Sequence, residues 1–163
     1  MQKRERVRPV EYIVAWVGAV LALGATVALL NLTAHPWLLA SLGGSCVILF
    51  GMPDNEMAQP RSFLGGHLIA TVTGLVFLRL GLLHFGGSPT LWVVAATATA
   101  LVLMMMTGTV HSPAGANPIV LFAENAGWGF LVSPLLIGLA ALFVTALVVN
   151  NRLRGRRYPL RWT

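Results

Sequence analysis

The sequence predicts an all-α, polytopic membrane protein in which residues 1–163 form one transmembrane domain. Of the 163 residues, 56% are hydrophobic and only 10% are charged, whereas a soluble domain carries about 25% charged residues. Four apolar segments are long enough to cross a bilayer as helices, which takes roughly 17–25 residues. Two shorter apolar segments lie between them. We therefore expect four long transmembrane helices and two short re-entrant or broken helices, arranged as two internal repeats.

The four long segments cover residues 12–32, 63–84, 90–108 and 129–149. The first follows a basic stretch, as in a signal peptide, but its apolar part is too long and no small-residue cleavage site clearly follows. We therefore expect it to be retained as a transmembrane helix. In the second segment, Gly66, Ala70 and Gly74 recur every four residues, which predicts a face where another helix packs closely.

The two short segments are interrupted in different ways. Residues 37–52 contain Gly43-Gly44-Ser45, and residues 113–123 contain Asn117-Pro118. At about 1.5 Å per helical residue, the second short segment would cover only about half of the hydrocarbon core. Its length favours a re-entrant helix or one half of a broken helix.

The repeats are predicted at about residues 12–84 and 90–150. His35-Pro36 is echoed by His111-Ser112-Pro113, and Asp54-Asn55 by Glu124-Asn125. Each half also has the order long segment, interrupted short segment, long segment. Paired short segments of this kind, broken by glycine or proline, are the best sequence indication of a transporter's binding site.

Basic clusters in the tails 1–10 and 151–163 set the expected topology. Positive charge beside apolar spans favours the cytoplasmic side, so we expect both termini in the cytoplasm and an even number of crossings. Four crossings with two re-entrant segments would make the halves parallel repeats, and six crossings would make them inverted repeats. The shortness of residues 113–123 favours the first arrangement. The expected location is a bacterial inner membrane.

The net charge of +6 is confined largely to these tails, which predicts contact with anionic lipid headgroups rather than with nucleic acid. The single cysteine, Cys46, excludes an internal disulfide and a cysteine-clustered metal site. We expect neither a metal nor a cofactor.

The polar run that begins at His111 is the strongest candidate for a binding site. Ser112 suits the N-cap and Pro113 the first position of a short helix, whose unpaired N–H groups and partial positive charge would favour an anion. The small residues that leave the first turn open are Ala114, Gly115 and Ala116. His111 could contact the anion or pass a proton, or it could simply hydrogen-bond a carbonyl at a helix end.

Three further side chains could contribute. Asn117 could donate to a ligand or satisfy the carbonyls freed by Pro118. The Arg61 guanidinium suits planar oxyanions but could instead anchor the helix at the membrane interface. His67 lies inside an apolar segment, where an ionisable residue indicates a functional site by default, although a structural hydrogen bond would also explain it.

No catalytic arrangement is evident. Ser112 adjoins His111, but no acid is positioned to orient the imidazole. Phosphate-loop, dinucleotide-binding and zinc-protease patterns are missing. We therefore expect a protein that is not an enzyme.

Two motifs resemble the HPP family of integral membrane proteins, named for a His-Pro-Pro motif. Residues 107–116 match its pattern Thr-Gly-x-x-His-Pro-Pro-Ala-Gly-Ala, with Ser112 replacing the first proline. Gln59-Pro60-Arg61 and Gly65-Gly66-His67 resemble a second family pattern, and the similarity covers roughly residues 33–151. The resemblance implies a four-span membrane protein, and some family members, in cyanobacteria and chloroplasts, are linked to nitrite transport.

These observations lead to two functional hypotheses. The first is a transporter or channel for a small inorganic anion, most of all nitrite, which a homo-oligomer could help to enclose. The second is a non-transporting membrane subunit or sensor whose broken helices form oligomer contacts. Tight packing of residues 113–122, with no adjoining polar cavity, would support the second.

Overall fold

The computed structural model describes residues 8–30 and 37–162, and these residues form helices joined by short loops. The long helices are α1 (Pro9–Leu30), α3 (Pro60–Phe85), α4 (Pro89–Thr107) and α6 (Trp128–Leu153). The short helices are α2 (Leu38–Gly51) and α5 (Asn117–Ala123). All four predicted long helices are confirmed, with boundaries that differ from the expected ones by a few residues.

The short helices differ in regularity. α2 stays helical through Gly43-Gly44-Ser45 and ends in a wide π-type turn, so the interruption expected there is wrong. Glycine serves instead for close approach, because a Cβ at Gly44 would lie 3.1 Å from Cβ of Pro113. α5 follows a 3₁₀ segment, Ser112–Ala116, and the helix type changes at Asn117.

α2 lies alongside α6 for much of its length. Leu42 Cδ1 comes within 3.0 Å of the position that a Cβ on Gly138 would occupy. Near the other end of α2, Phe50 packs against Gly18 of α1, and its carbonyl accepts a 2.5 Å hydrogen bond from Nη2 of Arg154. Leu42 to Phe50 corresponds to about 12 Å of α2. α2 therefore runs from one end of the bundle towards the other.

The second short segment lies alongside α3 in the same way. Thr109 packs against Gly65 near the start of α3, where a Cβ would lie 2.8 Å from Cγ2 of the threonine. Beyond α5, the Ala126 carbonyl accepts a 2.8 Å hydrogen bond from Nε of Arg79. Gly65 to Arg79 corresponds to about 21 Å of helix. This segment also passes along the bundle rather than turning back.

The expected re-entrant arrangement with parallel repeats is therefore wrong. The first half, α1 to α3, and the second half, α4 to α6, each make three passes and have opposite orientations, which is the inverted-repeat alternative. The sequence estimate failed because it counted only α-helical rise. The chain is extended at His111, and a 3₁₀ segment rises about 2.0 Å per residue, so fewer residues cover the distance.

The predicted small-residue face of α3 is confirmed. Ala70 is fully buried. A Cβ on Gly66 would lie 2.7 Å from the Thr109 carbonyl oxygen, and one on Gly74 would lie 2.6 Å from Cδ1 of Leu121. The absence of side chains at these glycines lets the second short segment lie directly against α3.

Candidate functional site

Four polar side chains meet where α2, α3 and the second short segment cross. They are Ser45, His67, His111 and Asn117, and each is 0% exposed. We call them the histidine cluster. Ser45 and His67 come from the first half and the other two from the second, so the cluster lies at the contact between the inverted halves. His67 is seven residues into α3, or about 10 Å along it.

The backbone after α4 brings His111 into the cluster. Gly108 ends α4 in the left-handed conformation, with φ of 63°, which glycine adopts without steric cost. His111 itself is extended and packs against Gly66 of α3, where a Cβ would lie 2.8 Å from Cβ of the histidine. His111 is thus positioned by one glycine that turns the chain and another that leaves space for it.

Hydrogen bonds determine the tautomer of neutral His111. Its Nδ1 lies 2.8 Å from the Met57 carbonyl oxygen, which can only accept, so Nδ1 carries a hydrogen and donates it. Nε2 then has a free lone pair. It lies 2.9 Å from Oγ of Ser45, and the serine hydroxyl can donate to it.

The contacts of Asn117 determine the other imidazole. The Nδ2 group of Asn117 donates to Nδ1 of His67 at 3.1 Å and to Oγ1 of Thr71 at 2.8 Å. His67 must therefore carry its hydrogen on Nε2, which lies 2.9 Å from Oγ of Ser45. Each group donates to the next, from Asn117 through His67, Ser45 and His111 to the Met57 carbonyl.

Asn117 is committed to protein partners in this conformation. Its Oδ1 accepts a 2.7 Å hydrogen bond from Ser41 of α2. Neither sequence interpretation of Asn117 predicted these partners. Its side chain bonds to side chains on α2 and α3 rather than to carbonyls freed by Pro118. Asn117 ties the three elements together at the point where the helix type changes.

Phe63 closes one side of the cluster. Its ring contacts His67 and His111 edge-on, with centroids 5.5 and 5.4 Å apart. The two imidazole centroids are 5.0 Å from each other. An aromatic wall keeps the region apolar, which strengthens the hydrogen bonds within it.

The predicted capping role of Ser112 is wrong. The residue is exposed and is the first residue of the 3₁₀ segment, while His111 holds the N-cap position without a capping side-chain bond. Ala114 is buried, and its N–H donates to the His111 carbonyl at 3.0 Å. Gly115 and Ala116 are partly exposed. The 3₁₀ pattern thus uses one donor that the sequence interpretation assigned to an anion.

Arg61 lies apart from the histidines. It is exposed, and its Nη2 donates to the Thr107 carbonyl at 2.7 Å. It lines a surface cavity of about 170 Å³. An adjoining cavity of about 310 Å³ is lined partly by Met57 and Val110. We call the two cavities the vestibule. The residues that line both are Glu56, Ser62 and Gly108, and Gln59 and Arg161 complete the smaller one.

The vestibule and the cluster meet at Met57, which lines the vestibule and whose carbonyl accepts a hydrogen bond from His111. Neither cavity is lined by residues 111–118. The histidine cluster is therefore closed to solution on this side.

Sequence reasoning missed several members of the site. Ser45 was treated only as part of a glycine interruption, and Ser41, Thr71 and Phe63 were not considered. A usable signal was present, because Ser41 and Ser45, like His67 and Thr71, are four residues apart and so share one helix face. The echo at His35-Pro36 falls outside the described residues. Within residues 8–30 and 37–162, no three His, Cys, Asp or Glu side chains come together.

Comparison with known proteins identifies the family. The model of the HPP transmembrane region matches residues 4–159. A transmembrane protein of Dictyostelium discoideum is 36% identical over 129 residues, which cover 77% of this chain and 45% of that protein. A second from the same organism is 34% identical over 130 residues, covering 77% of this chain and 42% of the relative. This chain thus spans less than half the length of either relative, and no solved structure matches it significantly. The chain belongs to the HPP family of integral membrane proteins.

Proposed function

We propose that the chain transports a small inorganic anion across the membrane, with nitrite as the first substrate to test. One observation carries the proposal: a buried polar cluster lies at the contact between two inverted halves, beside a discontinuous helix. Transporters built from inverted repeats bind their substrates at such a place. The family resemblance supplies nitrite as the candidate substrate.

The polar composition of the cluster supports a functional role. Burying an amide or hydroxyl group in an apolar region costs about 1–3 kcal/mol in proteins unless it is hydrogen-bonded. Leu142 and Ala146 on α6 show that apolar side chains also fill inner positions of this bundle. Packing alone therefore does not require histidines and an asparagine at its centre. Their donors would serve an anion that displaced their present partners.

The vestibule supplies an entrance for this function. Arg61 and Arg161 line it, and guanidinium groups attract anions. Access from there to His111 requires the Met57 carbonyl to separate from the imidazole. The structure corresponds to an occluded conformation in this proposal, and the positive charge of the tails favours a vestibule on the cytoplasmic side.

Flux measurements test the proposal directly. Purified protein in liposomes should take up nitrite faster than protein-free liposomes when a nitrite gradient is imposed. His111→Gln should reduce this flux at least about tenfold. The loss of one hydrogen bond from the cluster costs about 1.4 kcal/mol or more, which corresponds to a factor of ten in rate. His84→Gln is the matched control because His84 is exposed and lies outside the cluster. Equal flux from His111→Gln and the parent would reject the assigned site.

A second candidate function has one observation in its favour. Residues 111–118 adjoin neither cavity of the vestibule, and close packing there is what a non-transporting subunit or sensor would need. In that case the short helices would support assembly, for example into a homo-oligomer. A folded, assembled protein that moves no nitrite under any imposed gradient would favour this second function.

A further inference from the structure

We propose that the histidine cluster binds one proton, at Nε2 of His111, and carries it together with one monovalent anion. Transport would then be electroneutral. This inference rests on the proposed function and identifies the coupling ion.

Ser45 is the group that makes the proton site. Its Oγ has three partners: Nε2 of His67 at 2.9 Å, Nε2 of His111 at 2.9 Å and the Ser41 carbonyl oxygen at 3.1 Å. A hydroxyl has one hydrogen and two lone pairs. With both imidazoles neutral, Ser45 accepts from His67 and donates to His111, and its contact with the Ser41 carbonyl is not needed.

Adding one proton requires only a rotation of the Ser45 hydroxyl. The proton, taken from water, forms an N–H bond at Nε2 of His111, and this N–H donates to Oγ of Ser45. The serine hydrogen turns to the Ser41 carbonyl. Ser45 then accepts from both imidazoles and donates once, which uses its full capacity. The heavy atoms already stand at the distances that the protonated state needs.

A second proton has no comparable place. The remaining lone pair on His67 is at Nδ1, which faces the Nδ2 donor of Asn117 at 3.1 Å. A proton there would set two donors against each other. The imidazole centroids are also 5.0 Å apart, and like charges at that distance disfavour each other. The geometry therefore limits the cluster to one proton.

No other described group supplies charge to the pair. The titratable or charged residues of the elements packed around it are Cys46 on α2, Glu56 before α3, Arg61, Arg79 and His84 on α3, and Glu124 directly after α5. α4 and residues 137–148 of α6 carry none. The described hydrogen bonds and ion pairs join no carboxylate or arginine to either imidazole. A buried cation without a counter-charge is costly, so the proton is stable there only when an anion accompanies it.

The experiment measures proton and nitrite entry together in liposomes that contain the full chain. Sodium nitrite is added outside, a trapped pH dye reports protons, and potassium with valinomycin sets the membrane potential. We expect one proton per nitrite and a rate that does not change with potential. In His111→Gln the remaining nitrite flux should lose its proton and become driven by potential. His67→Gln should keep one proton per nitrite even where its rate falls, because the glutamine amide can donate to Ser45 as His67 does.

The outcomes separate this inference from the proposed function. Nitrite flux without proton entry, or driven by potential in the parent, overturns the proton site and leaves anion transport standing. The assignment of the proton to His111 is also overturned if His111→Gln still moves one proton with each nitrite, or if His67→Gln no longer does. If one histidine variant fails to fold, the number of protons that enter with each nitrite in the parent protein still tests the inference. A parent that moves no nitrite rejects the transport function, and this inference with it.

Discussion

α3 and α6 occupy corresponding places in the two inverted halves, and the arginines near their ends, Arg79 and Arg154, are 75 residues apart. Arg79 lies in α3, and Arg154 directly follows α6. Each donates to carbonyls just beyond or at the end of the short helix in the opposite half, Arg79 to Ala126 and Arg154 to Phe50. The two halves therefore share the contacts that hold their short helices.

The same offset pairs His67 with Leu142 and Thr71 with Ala146, and all four are 0% exposed. Polar chemistry is thus present on the α3 side of the bundle and replaced by apolar packing on the α6 side. The comparison teaches that the repeated architecture needs only well-packed side chains at these positions. Histidine and threonine on α3 are additions to that architecture, which is why we connect them with function.

The largest effect is expected when α3 is given the residue of α6. His67→Leu removes one buried hydrogen-bond partner from Asn117 and one from Ser45, at about 1–3 kcal/mol for each unsatisfied group. Nitrite flux should fall at least about a hundredfold, while Leu142→Met on α6 should stay near the parent because a volume-conserving change costs less than about 1.5 kcal/mol. Initial rates in liposomes measure both. Comparable losses in the two variants would remove the distinction between the helices.

Close packing of the α3 side predicts the next effect. In Gly66→Ala the new methyl group would lie 2.7 Å from the Thr109 carbonyl oxygen and 2.8 Å from Cβ of His111. The backbone must shift, so we expect a loss of about 1–3 kcal/mol in stability and a flux reduced about tenfold. Gly24→Ala is the control, since nothing lies within 4 Å of its Cβ. Thermal unfolding in detergent should separate the two variants clearly, and an unchanged Gly66→Ala would contradict the packing.

The two matched arginines, Arg79 and Arg154, are expected to contribute differently to the stability of the protein. The Arg154 side chain is 4% exposed and also lies 3.4 Å from Glu11, whereas Nη2 of Arg79 makes an exposed bond to the Asn125 carbonyl. Hydrogen bonds to charged groups contribute about 1.5–3 kcal/mol, and exposure weakens them. Arg154→Gln should therefore lower the unfolding temperature more than Arg79→Gln. The opposite order would contradict the greater contribution that burial gives to the Arg154 contacts.

The smallest effect is expected at the vestibule. Arg61 is exposed and lies outside the histidine cluster, so Arg61→Gln should leave stability nearly unchanged. It should raise the half-saturating nitrite concentration about two- to fivefold by weakening attraction at the entrance, with little change in maximal rate. Since exposed charges are screened, added salt should shrink the difference. A large drop in maximal rate would place Arg61 closer to the transport step than we propose.

Much of the fold follows from simple sequence patterns. Length and hydropathy predicted the four long helices, and small residues spaced by four predicted the close face of α3. The direction of the second short segment could not be predicted in the same way. Its reach depends on the extended backbone at His111 and on the 3₁₀ turns that follow, and neither conformation has a strong local signature.

The site was predicted in part for a related reason. His67 and His111 stand out because ionisable residues are rare in apolar helices. Ser45 carries no such signal, since small hydroxyl residues are common in membrane helices as packing residues. Its central position emerges only when three elements are brought together. Ser112 was predicted to be an N-cap from its residue type alone. In the 3₁₀ segment that forms there, His111 holds the N-cap position.

The crossed arginine contacts have a consequence for how the chain matures in the membrane. The carbonyl at the end of α2 gains its charged partner only after residue 154, which directly follows α6, has been synthesised. Until then that carbonyl must rely on water or lipid headgroups. A fragment that stops after α3 should therefore be recognised by quality-control proteases more readily than the whole chain, and supplying the second half as a separate polypeptide should protect it.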